Sequence, residues 1–236
     1  MQMTELTTTR RALLGGVAVI GLSPALPFGV SEAFAQEDTP PDSQGNVDMD
    51  AALKPGSLPD MAIGPENAPI KVIEYFSLTC PHCAHFHNTA FDEIKKKYVE
   101  TGKVRFILRE FPFDPVATAA FMLARSNPQD PKQPASNDQY FAMVSMLFKQ
   151  QVSWAAPKDN NVRAALLQTV KLAGYSQESF EACLTNQKLL DDVNAVVKRA
   201  ADEFGVNATP TFLINGKKYS GDMSVAAMSK LFDGML

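Results

Sequence analysis

Ile70-Lys71-Val72-Ile73-Glu74-Tyr75-Phe76 leads through Ser77-Leu78-Thr79 into Cys80-Pro81-His82-Cys83. The first run is β-branched and aromatic, as a buried strand is. Pro81 suits the first helical position, where its missing N–H removes no bond. Phe86, Ala90, Ile94 and Tyr98 then recur at helical spacing until Gly102, so the two cysteines open an amphipathic helix running to about residue 100. At such an end the unpaired N–H groups and the helix dipole stabilise a thiolate. The spacing describes a dithiol/disulfide switch.

Two other uses of the pair fit less well. A zinc site built on Cys80, Cys83, His85 and His87 would crowd its ligands on one helix, and Cys183 is the only further thiol in the chain. A purely structural disulfide would close a very short loop, which removes little entropy from the unfolded chain. No metal and no organic cofactor is expected.

The chain has 236 residues, 45% hydrophobic and 20% charged, with a net charge of −4. This is ordinary globular composition and gives no reason to propose nucleic acid or an anionic membrane as a partner. Arg10-Arg11, the apolar stretch from Ala12 to Leu22, and the small residues Ala33 and Ala35 before Gln36 read as an export signal over 1–35. Thr9-Arg10-Arg11-Ala12 resembles a twin-arginine signal, and an ordinary secretory signal also fits. No stretch is long enough for a membrane span once the signal is removed. Export would place the cysteine pair where a disulfide persists.

Residues 36–66 are rich in Pro, Asp, Gly, Ser and Gln without apolar periodicity and are expected to be a flexible linker. They also lack the heptads of an oligomerisation stalk, so a monomer is expected. Val104 to Leu108 reads as a second strand. Helical segments follow at 116–125, after the capping-box pattern Ser136-Asn137-Asp138-Gln139, at 162–172, and after Ser176. A long helix carrying Leu189, Val193, Val196, Ala200 and Phe204 stops at Gly205. Asn215-Gly216 between two short strands signals a hairpin, and a last helix covers about 224–232.

That order, with Val72-Ile73-Glu74-Tyr75-Phe76-Ser77 leading into Cys80-Pro81-His82-Cys83 and with Gly205-Val206-Asn207-Ala208-Thr209-Pro210-Thr211-Phe212-Leu213-Ile214-Asn215-Gly216 near the end, resembles the DsbA family. The resemblance implies an α/β thioredoxin-like fold with an inserted all-helical domain, divided as 67–113 and 186–236 for the thioredoxin-like part and 114–185 for the insertion. It also implies a cis Thr209–Pro210 bond against the cysteine motif, with Thr209 presenting its backbone to an extended substrate and Pro210 aiding substrate release. A buried acid at Glu74 would serve as a proton relay for Cys83, its carboxyl raised toward the working range by burial. An edge position facing water is the other reading of Glu74.

Cys80, at the helix start, is expected to be the nucleophile, and Cys83, one turn in, the buried resolving thiol. His82 can donate to the Cys80 thiolate, stabilising the reduced form and making the disulfide more oxidising. Cys183 reads as a small buried hydrophobe beside Phe180 and Leu184. His85 and His87 read as solvent-side helix residues, and Met122, Met143 and Met146 as core filler.

The expected function is periplasmic disulfide donation to exported proteins with reduced cysteines, with reoxidation by a quinone-linked membrane oxidase of the DsbB type. An isomerase or reductase kept reduced in the envelope is a second reading, and a thiol-dependent chaperone a third.

Overall fold

The computed structural model describes residues 38–236, and the expected export signal lies outside them. Among the described residues a five-stranded sheet runs in the order β1-β3-β2-β4-β5. Its strands are β1 (Met61–Ile63), β2 (Ile70–Phe76), β3 (Val104–Glu110), β4 (Thr211–Ile214) and β5 (Lys217–Ser220). β2 and β3 are parallel; the other neighbours are antiparallel. A parallel pair needs a crossover, which α2 (Pro81–Thr89), α3 (Phe91–Ile94) and a π-helical turn (Lys95–Val99) supply. The hairpin at Asn215-Gly216 has positive φ at both residues, +42° and +88°, the backbone of a tight two-residue turn.

Alternation along the strands splits the apolar side chains between two faces. Ile70, Val72 and Phe76 of β2 point to one core, with Phe106 and Leu108 of β3 and Phe212 of β4. Ile73, Tyr75, Ile107 and Leu213 point to the other, against α1 (Met49–Leu53) and α9 (Gln187–Phe204). By this alternation Glu74 faces the first core. It is fully buried in the sheet interior, so the reading of a carboxylate facing water is excluded.

Between β3 and α9 lie α4 (Pro115–Arg125), α5 (Asn137–Lys149), α6 (Gln151–Ala155), α7 (Val162–Lys171) and α8 (Gln177–Leu184). Ser136 and Gln139 form the reciprocal capping box that starts α5. These helices have no separate core: Phe121, Tyr140, Phe148 and Trp154 are continuous with Phe76 and Phe86. Met122 and Met143 are buried in the same cluster, and Met146 packs against it. A final helix, α10 (Val225–Asp233), is capped by Ser224.

Two expectations about the chain's course are corrected. Residues 36–66 are not a tether over their described length. Val47 N–H donates to Gly216 O at 2.8 Å, α1 covers 49–53, and β1 extends the sheet beside β3, so the sheet begins before residue 67. Much of the order is supplied from outside the segment. Arg109 donates to both Asp60 oxygens at 2.8 and 2.9 Å and to Ala52 O at 2.7 Å, and Arg125 donates to Pro59 O at 2.6 Å. Gly64, at φ +87°, has no room for a side chain, since a Cβ would stand 2.2 Å from Val104 O. The second correction concerns the helix after the cysteines, which is interrupted at Ala90 (φ −120°, ψ −37°). The π-helical turn beyond it sets Tyr98 to donate to Asp233 Oδ1 at 2.8 Å.

Candidate active site

Cys80 is the residue that caps α2, with Pro81 at its first position. The loop before it is held from several sides. Cys80 N–H donates to Ser77 O at 3.1 Å, and Thr79 Oγ1 donates to Asp114 Oδ2 at 2.6 Å. Asp114 also caps α4 by accepting from Ala117 N–H at 2.8 Å. Gln151, at the start of α6, donates through Nε2 to Leu78 O and Cys80 O, both at 2.9 Å. The helical insertion therefore clasps the backbone that presents the thiol.

Across from α2, the Thr209–Pro210 bond is cis, and Cys80 Sγ lies 3.3 Å from Thr209 O. Pro210 is buried and its carbonyl accepts from Gly221 N–H at 2.9 Å. Thr209 stays half-buried at the rim, so the sequence-distant segment 209–210 and the cysteine motif form one site.

The two thiols have opposite electrostatics. A hydrogen bond from the Cys83 thiol is the main cause that lowers Cys80 to about 5; Thr209 and the backbone N–H groups of Cys83 and His82 add to it, against an opposing effect of burial. Cys83 is fully buried, and burial first, then Cys80 and the Glu74 charge, push its thiol well above the ordinary range. One sulfur is thus a thiolate at neutral pH and half-open to solvent; the other is a protonated thiol behind it.

His82 donates to the Cys80 sulfur through its backbone N–H, while ring Nδ1 stands 3.4 Å from Asp222 Oδ1. Asp222 meets His85 as well, with Oδ2 2.8 Å from His85 Nδ1. Asp222 was not apparent in the sequence; it follows Gly221 after β5, and only the fold brings it to α2.

His87 departs from expectation: it is buried, not on the solvent side. Its ring stacks on Phe148 at 4.5 Å and packs on Phe91 at 4.7 Å, and Nε2 lies 3.1 Å from each Glu74 oxygen. The signal was present in the spacing, since His87 is four residues after Cys83 and so shares its inward face. Cys183 is buried, and its thiol donates to Ser126 Oγ at 3.2 Å. Among the described residues no three His, Cys, Asp or Glu side chains converge as a metal site.

Comparison with known proteins gives this geometry a family. The thioredoxin family model matches residues 57–234. The "Putative protein-disulfide oxidoreductase" of Rickettsia conorii is 34% identical over 181 residues, covering 75% of this chain and 60% of that protein. The similarly named protein of Rickettsia felis is 32% identical over 177 residues, covering 75% and 60%. The chain thus spans about 60% of the length of these curated relatives. Among solved structures, alpha-DsbA1 of Wolbachia pipientis superposes with a TM-score of 0.68 at 29% identity, covering 78% of this chain and 94% of that one. The mixed sheet, the helical insertion and the cysteine pair at the start of α2 all fall within the matched region, and the chain belongs to the thioredoxin family, with the fold of the DsbA proteins.

Proposed function

We propose that this chain is a protein-disulfide oxidoreductase that donates the disulfide between Cys80 and Cys83 to exported proteins in the periplasm. The observation that carries the reading is the split between the sulfurs: a half-exposed Cys80 held near 5 and a buried Cys83 held high. A thiolate stabilised in the reduced protein makes the disulfide a stronger oxidant. Two pH units between about 5 and neutrality correspond to about 2.7 kcal/mol, or about 60 mV for a two-electron couple. Because Cys80 is partly open to water, that is an upper bound.

In the forward direction a substrate thiolate attacks Cys80 Sγ, forming a mixed disulfide while Cys83 leaves with the electron pair. A second substrate thiolate then displaces Cys80, which leaves as the stabilised thiolate. The Thr209 backbone, 3.3 Å from Cys80 Sγ, is suited to pair with an extended client beside the sulfur. Glu74, whose charge acts on Cys83, is the group we assign to move a proton to and from that buried sulfur. The N-terminal Arg10-Arg11 and apolar stretch support export through the twin-arginine or general route. A monomer reoxidised by a quinone-linked membrane oxidase of the DsbB type completes the cycle.

Thiol trapping in cells tests the direction. Mostly oxidised Cys80 and Cys83 at steady state support a donor. A mostly reduced pair would instead establish an isomerase or reductase.

A further inference from the structure

Glu74 is sealed from water, with no exposure of its own, so a proton passed between it and Cys83 must also have a way in and out. The group in contact with it is His87, whose Nε2 is 3.1 Å from both carboxylate oxygens. His87 is itself almost wholly enclosed by Phe76, Phe86, Phe91 and Phe148. It also lines a cavity of about 300 Å³ between α2–α3 and α5. The lining of that cavity mixes apolar side chains with the polar and charged Asp92, Lys95, Asp138 and Ser145. A buried imidazole with one nitrogen on a buried carboxylate, lining a cavity that also carries charged side chains, is the arrangement of a proton shuttle.

We propose that His87 is the proton gate of the site, connecting Glu74 to water in this cavity. The inference rests on the disulfide-exchange reading above and adds the route by which its proton travels. When a substrate thiolate attacks Cys80, a new S–S bond forms to Cys80, the Cys80–Cys83 bond breaks, and the electron pair leaves on Cys83. The Glu74 carboxyl gives its proton to that sulfur. His87 Nε2–H returns a proton to Glu74, and the imidazole regains one at its other nitrogen from cavity water. Reoxidation runs the same relay outward. His87 is placed to act through Glu74, and the charged groups around it are Glu74 on β2, Asp92 and Lys95 on the α3 side, and Asp138 on α5.

The test is stopped-flow oxidation of a dithiol peptide by the full-length disulfide form, comparing wild type with His87→Ala and His87→Phe. His87→Phe keeps the aromatic packing but has no ring nitrogen. Its rate should fall by about tenfold or more, below the 10²–10⁴ that a directly acting acid or base contributes; because Glu74 loses a buried partner the variant should also melt lower, so rates are compared at a temperature where its melting curve shows it fully folded. In His87→Ala, added imidazole should enter the cavity and restore the rate in proportion to its concentration, whereas pyrrole, similar in shape but not basic, should not. An unchanged rate in His87→Phe, or equal rescue by pyrrole, would overturn the gate while leaving the oxidoreductase reading intact. A wild-type protein inert toward the peptide would overturn both.

Discussion

Cys80 and Cys183 are the same side chain at opposite ends of two helices. Cys80 caps the start of α2, where Cys83, Thr209 and backbone N–H groups converge on a half-open sulfur and lower it to about 5. Cys183 lies in the last turn of α8, fully buried, where burial raises it to about 11 against the weaker opposing effects of Ser126 and Tyr175. Neither composition nor hydrophobicity separates the two residues. What separates them is the surroundings of the sulfur: the Cys83 thiol dominates at Cys80 and burial dominates at Cys183, and a helix N-terminus adds N–H donors where a helix C-terminus supplies carbonyls. Reactivity in this chain is therefore a property of where the fold places each thiol.

The largest expected effect is in alkylation. At pH 6 the thiolate fractions that follow from about 5 and about 11 differ by about 10⁵-fold. Brief iodoacetamide treatment of the reduced protein, read by peptide mass spectrometry, should label Cys80 almost alone. Cys80→Ser should abolish disulfide exchange, Cys83→Ser should accumulate mixed disulfides through Cys80, and Cys183→Ala should exchange at the wild-type rate. Labelling of Cys183 or Cys83 ahead of Cys80 would break the comparison outright.

A second effect separates stability from reactivity. Arg125 donates to Glu110 at 2.6 and 2.8 Å in a buried pair, and Tyr140 donates to the same carboxylate at 2.6 Å. Removing one partner of such a pair destabilises by roughly 3–5 kcal/mol, because the other charge stays buried alone. Arg125 adjoins Ser126, the partner of Cys183. Arg125→Met should therefore lower the urea midpoint sharply and open Cys183 to slow alkylation, with the Cys80 rate hardly altered. Adding Glu110→Leu should recover much of the loss. Full stability in the single variant would show that the pair is not what fixes this region.

How much of this could be read in the sequence follows from the range of each signal. Local features carried through: the capping box of Ser136 and Gln139, the turn at Asn215-Gly216, the helix stop at Gly205, and Cys80-Pro81-His82-Cys83 after a strand. Each depends on a few neighbouring residues. The strand β1 has three residues, too few for alternation to be recognised, and its partner β3 is far along the chain. The polar run before it was read as a tether because its order comes from Arg109 and Arg125, long side chains on later elements. At the site, Glu74 and Cys83 were legible, but Asp222 and Gln151 reach α2 only through the tertiary fold. His87 had a usable clue in its spacing from Cys83, and was misread because a histidine on a polar helix is ordinarily solvated.

The next effect is a pH dependence with opposite signs at the two sulfurs. Cys80 has a folded value of about 5 against an ordinary 9.0, so its contribution to the stability of the reduced protein is full above about pH 9 and is lost as pH falls toward 5. Cys183 is raised to about 11 from 9.0, so it contributes no slope below about 9 and destabilises above it. Urea melts of reduced wild type and Cys80→Ser at pH 5.5, 7 and 8.5 should diverge with rising pH, by about 1 kcal/mol per unit or less, while Cys183→Ala should run parallel to wild type. Parallel curves for Cys80→Ser would mean that the thiolate is not stabilised by the fold.

The smallest effect concerns the clasp between the insertion and the active-site loop. Gln151 Nε2 donates to both Leu78 O and Cys80 O at 2.9 Å, and a neutral hydrogen bond contributes about 0.5–1.5 kcal/mol. In Gln151→Leu both carbonyls lose that partner, and the side chain of similar length keeps the packing. The backbone that aims the N–H groups of His82 and Cys83 at Cys80 then has one fewer restraint, so the Cys80 thiolate should be less well stabilised. We expect a modest upward move in the pH midpoint of Cys80 alkylation and a loss of about 1–2 kcal/mol in stability, with Cys183 labelling unchanged. A shift in melting alone would make Gln151 a structural tie. A shift in the Cys80 midpoint as well would make the helical insertion a determinant of the thiol's reactivity, which the arrangement of Asp114 on Thr79 and Gln151 on Cys80 already suggests.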